Sequence, residues 1–271
     1  MTSHKIYKPA GDSGSGDSSG AGQTDTHGQC WSGESIEDNL ILCEHQTIRP
    51  LLLRHLPRQG MILESGCGLG RWVFYLRSLG YDIIGIDLAP EALREAKAFD
   101  PEVPIQEGDV LHSDFPDGCF HAAISLGVVE HFEEGPQQAL SELRRLLKPG
   151  GLLFISVPIQ NTVRKLVTNH LKDLNRWRRS RGGERYEFEE YRYERRHFEA
   201  LLRTAGFEIM DCVADDFSYP KNLGLYADWR VLRSPTQKWE LTSSGNRLAS
   251  LMNSLSPWTI CAGAFWVCRR K

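Results

Sequence analysis

The sequence predicts an α/β fold: a mostly parallel, seven-stranded sheet with helices on both faces and an antiparallel last strand. Three observations predict it. From position 61 onward short apolar runs alternate with amphipathic segments, the pattern of βαβ units. The first run ends in a glycine-rich turn that leads into a helix, and the closing segments end in one more apolar run, TICAGAFWVC. With 271 residues, 41% of them hydrophobic, the chain is long enough to bury one substantial core.

The elements follow in order. Residues 11–22, GDSGSGDSSGAG, contain only Gly, Ser, Asp and Ala and cannot bury enough apolar surface to offset the entropy of ordering, so residues 1–28 read as a disordered Gly/Ser-rich tail. Residues 29–58 read as two helices capping the pocket, the first on Ile36, Leu40, Cys43 and Ile48, the second opened by Pro50 before LLLRHL. The main domain spans 59–271. Strands are placed at 61–64, 82–87, 103–106, 120–126 and 151–157, and helices at 71–79, 90–98 and 137–147. KPGG after Leu147 reads as a helix stop and turn. A helix over 194–205 and a strand from Phe207 complete the pattern, with lid insertions at about 159–190 and 217–258.

The net charge of −3 disfavours a nucleic-acid partner held by the whole surface. Seven scattered cysteines, never spaced C-x-x-C, argue against a disulfide framework and a zinc site, and fit a reducing, cytoplasmic setting. No apolar run is long enough to span a bilayer, and the N-terminus lacks a signal-peptide pattern.

The chemistry concentrates in ILESGCGLGRW, 62–72. Glycines let backbone N–H groups approach a ligand closely. The dinucleotide pattern G-x-G-x-x-G fails, since Arg71 or Val73 stands where the third glycine belongs. Glu64, just ahead of the turn, suits a cationic ligand better than a pyrophosphate. Asp87 closes the second strand, where a carboxylate accepts from ribose hydroxyls, and Asp109 follows the third. All three acids stand at carboxyl ends of strands, where open α/β sheets bind ligands.

Taken together, ILESGCGLG, GIDLAPEAL, EGDV, FHAAISLGVVEHF, LKPGGLLFISVP and, further on, EALLRTAGFEI resemble the class I S-adenosylmethionine-dependent methyltransferases. The resemblance implies a Rossmann-like sheet and S-adenosylmethionine as cofactor, with no metal. It implies that Glu64, Gly66 and Gly68 border the methionine portion with Cys67 a small side chain inside the loop, Asp87 the ribose with Leu88 also at the cofactor, and Asp109 with Val110 the adenine, while Leu126 contributes its backbone. Ser65 departs from the family's aliphatic residue, and the two insertions have no counterpart in it.

On the acceptor side, His131 leaves the fourth strand at the pocket mouth and is the candidate general base for a hydroxyl acceptor. The leading expectation is O-methylation of a small molecule; N- or C-methylation, RNA methylation and a cofactor-binding regulator without chemistry stay open. Between Arg164 and Arg181 seven Lys or Arg face one acid, Asp173, so the lid reads either as a solvated face or as a surface for a phosphate, a carboxylate or anionic lipid head groups. Tyr186, Phe188, Tyr191 and Tyr193 are candidates for an aromatic acceptor site.

Overall fold

A computed structural model describes residues 3–10, 35–181, 183 and 185–271. Its central sheet has seven strands: β2 (Ile62–Ser65), β3 (Ile83–Asp87), β4 (Ile105–Glu107), β5 (Phe120–Leu126), β6 (Leu147–Pro158), β8 (Phe207–Asp215) and β9 (Gly263–Arg270). They lie in the order β4-β3-β2-β5-β6-β9-β8. β9 is antiparallel to both of its neighbours, so β8 runs in the same direction as β6, and the expected seven-stranded, mostly parallel sheet is present.

Alternation along the strands builds two cores, because successive side chains leave opposite faces. Ile62, Ile124, Phe154 and Phe265 face one layer, where they meet Leu52, Trp72 and Leu76. Their neighbours Leu63, Ala123, Ile155 and Trp266 face the other, against Leu140, Leu143, Phe198 and Leu202. The first layer is supplied by α1 (Ile36–His45), α2 (Arg49–His55), α3 (Arg71–Ser78) and α4 (Pro90–Phe99), the second by α5 (Gln137–Leu146) and, past the first insertion, α7 (Arg195–Thr204). Both faces are thus buried, which explains why the strands read as near-continuous apolar runs.

Several elements differ from the sequence reading. The tail assignment over 1–28 is corrected at its start: Ser3–Pro9 is a strand, β1, antiparallel to β7 (Tyr186–Tyr193). The Gly/Ser composition of 11–22 dominated that reading, whereas SHKIYKP buries Ile6 and sets Tyr7 edge-on against Phe188 at 6.5 Å. Residues 11–34 lie outside the described residues, so the rest of the tail and the start of the 29–58 segment do too. KPGG belongs to β6, with Leu147 opposite Phe120 and a register shift before Ala122. The last strand begins at Gly263 instead of in TIC.

The first insertion folds as a π-helical turn (Arg164–Thr168), α6 (Asn169–Ser180) and β7. It is tied back to the sheet where the Gln160 N–H donates to the Tyr193 carbonyl at 2.8 Å. The second carries α8 (Leu223–Asp228), whose N-cap Asn222 accepts from the Leu225 N–H at 3.0 Å, and α9 (Ser243–Leu255), capped by Thr242. Leu248 and Met252 of α9 pack inward, while Leu251 points to solvent.

Candidate functional site

Strand order reverses beside β2: the chain runs outward through β3 and β4, then returns to β5 on the other side. The carboxyl ends of β2 and β5 therefore border a crevice at a topological switch point. A cavity of about 380 Å³ opens there.

The glycine turn forms one wall. Gly66 has φ +80°, and a Cβ there would stand 2.4 Å from a Val128 methyl, so only glycine fits. The turn is braced by its neighbours: the Gly66 and Cys67 N–H groups donate to the Ile86 carbonyl at 2.8 and 2.9 Å. Asp87 fastens it further, Oδ2 accepting from the Gly68 N–H at 2.7 Å and Oδ1 from the Ala89 N–H at 2.9 Å. Each carboxylate oxygen keeps a lone pair, and Asp87 with Leu88 lines the cavity.

Glu64 is buried, and its Oε2 has no hydrogen-bond partner among the described residues. Burial pushes its carboxyl up to about 8, against the pull of the Arg71 charge and the Val73 N–H. A buried, unpartnered carboxyl oxygen at a strand end is a costly feature that a cationic ligand would relieve. Arg71 itself is a wall residue, and its charge also acts on Asp215, at the carboxyl end of β8.

Of the residues singled out in the sequence, Gly66, Asp87, Leu88, Val110, Leu126 and His131 come together around the cavity. Glu64, Cys67, Gly68 and Asp109 are not wall residues. Asp109 Oδ1 accepts from the Leu111 N–H at 2.8 Å, turning the chain after β4 so that Val110 faces the cavity. The Cys67 thiol is buried and pushed well above its usual value by burial, so it is an inert packing group.

His131 sits on the 3-10 turn Val129–His131 after β5, with Nδ1 2.8 Å from the Glu189 carbonyl of β7. A carbonyl only accepts, so Nδ1 carries the proton and Nε2 is the basic nitrogen of the neutral ring. Beside it, Glu130 is buried with an unpartnered Oε2, and burial holds it well above the usual carboxylate range. Asp215 is pushed up to about 6, again by burial.

The lid closes the far side with an ion network. Arg164 Nε donates to Asp228 Oδ2 at 2.7 Å, and Nη1 to the Ile159 carbonyl at 2.9 Å. Arg192 donates from Nε to Glu190 Oε1 at 2.9 Å and from Nη1 to Asp228 Oδ1 at 3.3 Å. The Arg164 and Arg192 guanidinium groups are thus matched by carboxylates, while Arg71 and Lys172 add positive charge to the same wall. The aromatic acceptor site is corrected: Tyr186, Phe188, Tyr191 and Tyr193 are not wall residues. The last three pack in a chain of rings ending on Phe198, while β7 gives the cavity Glu189, Glu190 and Arg192.

Arg71, Glu189, Asp215 and the Arg164–Asp228 pair went unassigned in the sequence. Asp215 was signalled by two consecutive acids ending a strand and Arg71 by its place after the glycine turn; the other contacts join distant segments and leave no local pattern.

Known proteins share this arrangement. Residues 63–155 match the methyltransferase domain family. A probable S-adenosylmethionine-dependent methyltransferase of Mycolicibacterium smegmatis is 27% identical over 180 residues, covering 65% of this chain and 62% of that protein. A demethylmenaquinone methyltransferase of Thermus thermophilus is 35% identical over 109 residues, 39% of this chain and 49% of the relative. The chain thus spans between about half and about three-fifths of the length of these two relatives. The crystal structure of the PH0226 protein of Pyrococcus horikoshii has the same fold, with a TM-score of 0.55 at 16% identity, covering 89% of this chain and 93% of that one. The chain carries a class I S-adenosylmethionine-dependent methyltransferase domain, and S-adenosylmethionine is the cofactor of that class.

Proposed function

We propose that the protein methylates a small-molecule acceptor at a hydroxyl oxygen, with His131 as general base. The observation that carries this reading is that the glycine turn, the Asp87 carboxylate and the His131 turn open onto one cavity roofed by a lid. The residues fit the cofactor. Glu64 has an unpartnered oxygen for a cationic group, Asp87 has free lone pairs for ribose hydroxyls, and Leu88 and Val110 offer apolar contact to the adenine. Gly66 gives the close backbone approach with Cys67 and Gly68 bracing the turn behind it, Asp109 shapes the chain that presents Val110 to the adenine, and Leu126 contributes its main chain.

When bound, the cofactor supplies an electrophilic methyl group on a sulfonium. The protein's part is to orient the acceptor, exclude water and take a proton. His131 Nε2 accepts that proton, and the resulting imidazolium keeps its Nδ1–H bond to the Glu189 carbonyl. His131 is buried, and its turn lines the cavity. A reducing cytoplasmic setting belongs to the same reading, supported by free thiols at all six described cysteines. No helix among the described residues is long and apolar enough to cross a membrane.

His131→Ala is expected to lower kcat by at least about tenfold with cofactor affinity unchanged. An unchanged rate in that variant together with a loss in Asp215→Asn would move the base to Asp215, the partly exposed wall carboxyl. Incubating the protein with deuteromethyl cofactor and a metabolite extract tests the activity itself. One labelled product fixes the acceptor; normal cofactor binding with no labelled product would make the chain a binder without chemistry.

A further inference from the structure

The lid has an outer face that the methyl-transfer reading does not use. The π turn and α6 send Arg164, Thr168 and Asn169 into the body of the protein. Leu166, Val167, Leu171, Leu174 and Trp177 point away from it and are 41 to 71% exposed. Three- and four-residue spacings place Val167, Leu171, Leu174 and Trp177 on one stripe of the helix, with Leu166 beside its start. Arg178 and Arg181 continue that stripe, four residues after Leu174 and Trp177, and both are exposed. Neither forms an ion pair with a described residue; Arg181 lies 4.9 Å from the centre of the Trp177 ring. The one acid of the segment, Asp173, is taken by Arg176 at 3.1 Å and by His4 at 3.7 Å.

We propose that this face docks on the surface of an anionic lipid bilayer. Large apolar side chains around an indole, bordered by guanidinium groups that form no ion pair with a described residue, match the boundary between acyl chains and phosphate head groups. The apolar groups enter the boundary layer while the arginine stems lie along it and their charges meet phosphates. Charge decides against a second copy, and apolar content against residues 11–34. A second copy of the same face would oppose Arg178 and Arg181 with themselves. Residues 11–34 of this chain bring a single aromatic, Trp31, and no Leu, Ile, Val, Met or Phe to cover five apolar side chains. The inner side of the same segment supplies Arg164 and Lys172 to the cavity wall, so docking would set the pocket beside the membrane.

Co-sedimentation of the 271-residue protein with phosphatidylcholine vesicles, with and without phosphatidylglycerol, tests the proposal. Binding is expected to the anionic vesicles and to weaken as salt rises. Leu174→Glu, and separately Arg178→Glu with Arg181→Glu, should each weaken it by at least about tenfold, with S-adenosylhomocysteine affinity unchanged. Because these positions are exposed, the variants keep the fold, and retained S-adenosylhomocysteine binding verifies it independently of the acceptor assignment. Absence of binding to anionic vesicles at low salt, binding untouched by Leu174→Glu, or a dimer that Leu174→Glu dissociates without vesicle binding would each overturn it.

Discussion

Replacing Glu64 by Gln is expected to stabilise the ligand-free protein at alkaline pH while weakening cofactor binding. The carboxyl is 4% exposed, lacks a partner on Oε2 and is raised by burial from 4.5 to about 8. Its folded value exceeds its unfolded one, so ionisation opposes folding. The cost is absent below about pH 4.5, grows as the pH rises, and is complete above about pH 8. It reaches roughly 2 to 5 kcal/mol, since every tenfold change in the ionisation equilibrium is worth about 1.4 kcal/mol. A neutral amide removes the pH-dependent cost, though it still buries a polar group. Melting the two proteins from pH 5 to pH 9 should show the wild type losing stability relative to the variant as the pH rises. Parallel curves would contradict the assignment. Loss of a charge-assisted contact should lower cofactor affinity by about tenfold or more. Near pH 7 the carboxyl thus stays mostly neutral in the ligand-free protein and, on the proposed reading, ionises when the cofactor binds.

Arg164→Ala is expected to destabilise the protein by about 3 to 5 kcal/mol. Arg164 and Asp228 are each 3% exposed and meet at 2.7 Å. The guanidinium also holds the Ile159 carbonyl at the end of β6 and the Ala262 carbonyl before β9, so it joins both insertions to the ends of these two strands. Truncation leaves a buried carboxylate with Arg192 and Lys172 as its more distant partners, and two carbonyls without a donor. Against a total stability of about 5 to 15 kcal/mol this is a large fraction, and thermal unfolding should reveal it as a drop of many degrees. Arg164→Met with Asp228→Leu removes both charges and should cost less than either single replacement. A variant Arg164→Ala that melts with the wild type would show that the insertions are anchored elsewhere.

The central sheet was legible because its signal is local. Apolar runs of four to seven residues, glycine turns after them and amphipathic helices between them repeat from Met61 to Pro158 and return at Phe207. The cavity wall around the glycine turn was legible for the same reason: Asp87 and Leu126 close their strands, and Gly66 and Val110 follow theirs within a few residues. The acceptor wall was not. β1 reads as a polar heptapeptide and forms only because β7, some 180 residues later, offers an unpaired edge. The aromatic residues of β7 look like a binding surface in the sequence, yet strand alternation and the partnership with β1 turn them toward one another and give the cavity charged residues instead. Arg164, Asp228 and Arg192 belong to three elements, and nothing in the spacing of any one of them announces that they meet.

On the proposed reading the glycine turn, with Glu64 behind it, receives a cationic adenosine cofactor. Calorimetric titration with S-adenosylmethionine at pH 7, repeated in two buffers of different ionisation enthalpy, tests this most directly. With its carboxyl raised to about 8, Glu64 is mostly protonated in the ligand-free protein and must ionise against the incoming positive charge. Binding tighter than millimolar is expected, with release of nearly one proton per site, and that release should be lost in Glu64→Gln. No binding, or binding whose heat is the same in both buffers, would contradict it.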